Sequence, residues 1–111
     1  MPIMSLLNQA KGPLPLFVTF SAPSDGPACL VVSGSVWTGV ANQTIGIGVE
    51  LDGKAIGSAA IFSNAATTHR AVVPSYIPIT LTFGSHKIAL GPFMGPTTSD
   101  VNDVFDVALL Y

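Results

Sequence analysis

The stretch Thr44-Ile45-Gly46-Ile47-Gly48-Val49-Glu50-Leu51-Asp52-Gly53 constrains this chain more than any other. Its large apolar residues fall at every second position, and a period of two belongs to a pleated strand with one face turned inward. Asp-Gly then offers two residues that tolerate positive φ, as a tight hairpin needs. Lys54 to Phe62 is therefore expected to return as the partner strand, with its register open to a bulge. Helical periodicity is absent after the first dozen residues, while β-branched and aromatic runs recur between Gly, Pro, Asn and Asp clusters. The chain is expected to be all-β.

The same reading places strands at about Leu16 to Ser21, Ala28 to Thr38 and Thr68 to Val73, the last stopped by Pro74. A two-residue turn at Gly84-Ser85 would set Phe83 opposite His86, Leu81 opposite Ile88 and Ile79 opposite Leu90, which predicts a hairpin. Asp103 to Tyr111 reads as a final strand with Phe105, Val107, Leu109 and Tyr111 inward. At the other end Ser5 can cap, and Gly12 terminate, a short helical turn, so residues 1–14 read as an N-terminal arm or such a turn. About eight strands without helical crossovers predict an antiparallel two-sheet jelly-roll-like β-sandwich, with residues 1–111 forming a single domain.

Only here does composition decide something. Four Lys plus Arg against six Asp plus Glu give a net charge of −2, so no basic stripe exists to neutralise a phosphate backbone, and nucleic acid is not expected as a partner. Uncharged stretches such as Gly26 to Val49 are broken by polar residues and glycine, so no membrane insertion is expected. The opening MPIMSLLNQAKGP shows no signal peptide, which makes the cytoplasm the default compartment and leaves the true one unknown. A charged fraction of 9% leaves the surface of a small sandwich unusually apolar, and Gly46, Gly48, Gly57, Ala59 and Ala60 suggest small-residue faces suited to another chain. A homo-oligomer is expected.

Three segments carry a resemblance. Val49 to Gly53, Ile79 to Leu90 with its His-x-Ile-x-Leu return, and Asp103 to Val107 resemble the back half of jelly-roll binding modules, over about residues 45 to 111. Carbohydrate-binding modules of that shape, trimeric tail-fibre domains and tumour-necrosis-factor-like domains share such runs. The resemblance implies the sandwich fold and a binding or assembly role, with no ligand residues carried over.

Neither a Gly-x-Ser-x-Gly elbow nor a Cys-His signature is present, Glu50 and Asp52 sit together at one hairpin end, and Gly46-Ile47-Gly48 lies within a strand. No catalytic residues are assigned, no enzyme activity and no cofactor are expected, and Cys29 alone makes neither a disulfide nor a zinc site. His69 and His86 read as structural. The candidate ligand-binding residues are Trp37, whose ring could face a sugar, and Asp100, Asn102 and Asp103, whose oxygens suit polar ligands. The competing reading packs Trp37 in the core or an interface and makes Asp100 and Asn102 turn formers. Calcium favours such oxygens, but the loop lacks the EF-hand spacing. With its carboxylates fanned out to water, no metal is expected. The resulting expectation is a non-catalytic binding or assembly module, lectin-like or part of a bacterial or phage surface or tail structure, with a carbohydrate as candidate ligand. The alternative is a structural oligomeric subunit without a small ligand.

Overall fold

A computed structural model describes residues 2–111. Ten strands are distributed between two antiparallel sheets, and no helix occurs among the described residues. They are β1 (Ile3–Lys11), β2 (Leu16–Ala22), β3 (Gly26–Thr38), β4 (Gln43–Leu51), β5 (Lys54–Ser63), β6 (Arg70–Ala71), β7 (Ser75–Leu81), β8 (Gly84–Phe93), β9 (Thr97–Thr98) and β10 (Val104–Leu110). β6 and β9 are two-residue bridges; the other eight strands form the jelly-roll sandwich that the patterning implies.

One sheet is organised around β3, the longest strand. Its middle pairs with β10 along one edge, its first half pairs with β7 along the other, β1 extends the sheet beyond β10, and β6 and β9 pair with its last residues. The second sheet runs β2-β8-β4-β5. The alternating apolar residues meet between the sheets: Leu30, Val32 and Val36 of β3, with Phe105, Val107 and Leu109 of β10, face Ile45, Ile47 and Val49 of β4 and Ile88 and Leu90 of β8. Each such side chain contributes roughly 1.5–3 kcal/mol through burial, which fixes the face each strand turns inward.

The hairpin at Asp52-Gly53 forms with φ of 52° and 83°, and a register shift between Val49 and Glu50 supplies the bulge. Three expectations are corrected. Residues 3–11 are a strand, not a helical turn, because Met4, Leu6 and Leu7 pack against the core while the backbone pairs with β10. That edge pairing outweighs a cap that isolated local sequence would allow.

The segments on either side of Gly84 are not a hairpin. Leu81 pairs with Gly26 in the first sheet and Gly84 with Ala22 in the second, so Thr82-Phe83 cross from one sheet to the other. Alternation correctly turns Leu81, Ile88 and Leu90 inward, but it says which face is buried, not which strand lies alongside. Gly84, at φ 116°, provides the backbone conformation that starts β8. Third, Tyr111 lies beyond the end of β10 and is 36% exposed, so it does not join Phe105, Val107 and Leu109.

Candidate functional site

Two constructions stand out. The first is at the Trp37 end of the sandwich, where the β9–β10 loop meets the segment before β6. Asp103 is fully buried. One of its oxygens, Oδ1, accepts from Ser35 Oγ at 2.7 Å and faces His69 Nδ1 at 2.6 Å; the other accepts the Asp100 backbone N–H at 2.8 Å. Burying a carboxylate is costly unless donors surround it, and here three do. The bond to Asp103 raises the His69 pKa above its ordinary value. Trp37 lies half-buried with its ring 5.9 Å from the His69 ring at 43°. Asp100 places Oδ2 3.7 Å from His69 Nε2, and its other oxygen accepts the Asn102 N–H in a side-chain turn.

The structure thus gathers Trp37, Asp100 and Asp103 around His69 and leaves Asn102 exposed at the rim. The expected fan of solvated carboxylates is corrected at Asp103, which faces the interior because Ser35 and His69 supply donors from β3 and from the segment before β6. One donor atom from each of His69, Asp100 and Asp103 lies within 4.8 Å of the others, a spacing open to a cation. A cation bound through Asp103 Oδ1 would compete with the Ser35 hydroxyl and His69 Nδ1 for that oxygen. Ser35 likewise spends its hydroxyl on Asp103 and not on an imidazole, so Ser35, His69 and Asp103 do not form a nucleophile–base pair. Sequence reasoning misses His69 as the partner of Asp103 because nothing local marks a contact spanning 34 positions.

The second construction is a groove of about 450 Å³ on the outer face of the four-stranded sheet. Register builds it row by row: Phe17, Ala89, Glu50 and Ala55 in one and Gly91, Gly48 and Ser58 in the next, with Phe93 closing its far end. Small residues make the floor, Phe17 and Phe93 stand at its margins, and Glu50 is the only ionisable side chain lining it among the described residues. Phe17 is 58% exposed, and the Lys87 ammonium sits 4.6 Å from its ring centroid. Of the other small residues expected to make such faces, Ala59 is buried in the core, and Gly57, whose backbone also lines the groove, would turn a Cβ towards Ile77.

No family model matches the sequence, and a search of curated proteins finds no match. Solved structures do share the fold. The globular domain of the zebrafish complement 1qA protein superposes with a TM-score of 0.61 at 15% identity, covering 99% of this chain and 96% of that one. A family 35 carbohydrate binding module from Clostridium thermocellum gives 0.53 at 15%, covering 97% and 89%. A β-glucosidase from Paenibacillus barengoltzii gives 0.60 at 14%, covering 98% of this chain; the chain spans 10% of that enzyme's length. The likeness to jelly-roll modules is one of fold.

Proposed function

We propose that the protein is a non-catalytic binding module that takes a carbohydrate in the groove of the four-stranded sheet. The observation that carries this reading is the groove itself: a flat floor of Gly and Ala, the exposed Phe17 and the half-buried Phe93 at its margins, and one carboxylate. Sugar rings present apolar C–H faces that stack on aromatic rings and hydroxyls that a carboxylate can accept. The Trp37 end suits a ligand less well, because Asp103 is spent on protein donors and Trp37 is packed on His69. The structural likeness to a family 35 carbohydrate binding module supports the reading at the level of shape.

The test is a glycan array followed by titration calorimetry with the wild type, Phe17→Ala and Glu50→Gln. Binding weakened by both substitutions supports the groove. Binding lost instead in Trp37→Ala would move the site to the other end of the sandwich. Absence of any glycan binding would favour the purely structural subunit.

A second observation supports assembly. Across the outer face of the β3 sheet, register lines up Ile3, Leu110, Cys29 and Pro78 in one row and Ser5, Ala108, Val31 and Tyr76 in the next, without a single charge. Ile3 and Tyr76 are 68% and 67% exposed. A second copy covering this face would remove it from water, and would leave the groove on the opposite sheet open.

A further inference from the structure

His86 stands at the end of the sandwich opposite Trp37, facing inward from β8 with a side chain only 11% exposed. Its Nδ1 is 2.6 Å from Asp52 Oδ2, and its Nε2 is 2.7 Å from the backbone carbonyl oxygen of Thr82. Both of these partners can only accept hydrogen bonds, whereas a neutral imidazole has a single N–H. The Thr82 hydroxyl, 3.4 Å from Nε2, is a longer contact, so the shorter carbonyl contact favours an imidazolium donating from both nitrogens. His69 differs in this respect: its Nε2 faces a carboxylate at 3.7 Å and its side chain is 38% exposed, so the neutral ring with Nδ1–H is accommodated there.

The two bonds of His86 tie together parts of the chain that share no strand pairing. Asp52 is the tip of the β4–β5 hairpin; Thr82 belongs to the crossover from the first sheet to the second. Asp52 is further joined to β8, its Oδ1 accepting the Lys87 N–H and its own N–H donating to the Lys87 carbonyl, each at 2.8 Å. We propose that His86 is a proton-operated clamp: protonated, it holds the hairpin tip against the crossover, and on losing its proton it releases that end of the sandwich. Every neighbouring group favours the charged ring or is indifferent to it. Asp52 faces it from the hairpin, the Thr82 carbonyl and hydroxyl from the crossover, and the uncharged Phe20 ring from β2 at 5.8 Å. Asp25 lies one step further, accepting the Phe83 N–H at 2.6 Å, and the Lys87 ammonium is directed to Phe17 on the outer face. In accord with the geometry, the bond to Asp52, reinforced by the Thr82 carbonyl, raises the His86 pKa.

Long-range ¹H–¹⁵N imidazole spectra of the full chain, recorded from pH 5 to 9, test the clamp together with amide exchange normalised for intrinsic rate. His69→Gln gives a background in which only one histidine titrates. Both His86 nitrogens should carry protons at pH 6 and remain protonated past the ordinary histidine midpoint. Protection of the Lys87 amide should then fall as pH rises, about tenfold for each unit by which that midpoint exceeds about 6.5, while the Val107 amide in the core stays constant. Asp52→Asn should bring the midpoint down and flatten the Lys87 response. A neutral His86 at pH 6, or Lys87 protection indifferent to pH in the wild type, would overturn the proposal, and neither reading depends on the variant folding.

Discussion

Asp103 and His69, 34 residues apart in sequence, meet at 2.6 Å through a carboxylate without solvent exposure and an imidazole Nδ1. The contact fastens the β9–β10 loop to the segment entering β6, and Ser35 joins β3 to the same oxygen. A buried charge held by three donors makes this corner depend on one side chain.

Asp103→Ala should therefore destabilise the protein by on the order of 3 kcal/mol, because the Ser35 hydroxyl and the Asp100 amide lose a charged acceptor. Asn102→Ala, at an exposed position whose only hydrogen bond among the described residues is made by its backbone N–H, should shift stability by less than about 0.5 kcal/mol. Urea midpoints compare the two, and equal small shifts would show that the carboxylate does not hold the corner.

Stability should decline on the alkaline side. His69 and His86 have pKa values raised by Asp103 and Asp52, so their contributions are complete below about 6.5 and are lost as pH rises through the folded values. Asp52 is shifted down by the His86 bond, so its contribution is present above its ordinary value of 3.8 and disappears as pH falls through the folded value. The urea midpoint should consequently fall from pH 6 to pH 9, and the fall should shrink in a His69→Gln/His86→Gln double variant. An equal decline in both proteins would assign it to other groups.

Leu81→Ala and Ile88→Ala should each cost roughly 2–5 kcal/mol, since both side chains are buried in the core although they belong to different sheets. Thr82→Ala, on the exposed crossover, should cost far less. Cross-strand amide and α-proton contacts separate the topologies independently: Leu81 should approach Gly26, and a Leu81–Ile88 strand pairing would contradict the crossover.

Two glycines of β4, of which Gly48 lines the groove, should behave oppositely. A Cβ on Gly46 would lie 2.4 Å from the Ala59 carbonyl oxygen, a backbone atom that cannot move aside, so Gly46→Ala should cost about 1–3 kcal/mol. On Gly48 the nearest atoms are at 3.7 and 3.8 Å, ordinary contact, so Gly48→Ala should keep stability close to that of the wild type while narrowing the groove. Thermal melts of both, with glycan titration of the second, read the difference.

Self-association should be visible by sedimentation at micromolar concentration and should be lost in Tyr76→Lys, which sets a charge in the uncharged rows of the β3 sheet. Circular dichroism on the same sample shows whether the fold survives. A wild type that sediments only as monomer would remove the assembly reading.

Much of this protein can be read from period and punctuation. Ile45, Ile47 and Val49 declare an inward face, Asp52-Gly53 declares a hairpin, and Phe105, Val107 and Leu109 declare a final strand, because strand geometry and turn conformation are set within a few residues. Trp37, Asp100 and Asp103 could be singled out by side-chain chemistry, and they do come together. What period cannot contain is which strand lies beside which. Phe83 and His86 fit a hairpin locally, yet β7 pairs with β3 and β8 with both β2 and β4, so the chain crosses between sheets. The N-terminal strand has the same cause, since the free edge of β10 becomes available only once the sandwich exists. The groove, the donors around Asp103 and the two acceptors around His86 likewise depend on residues far apart in the chain, and only the tertiary structure, by closing those distances, decided them.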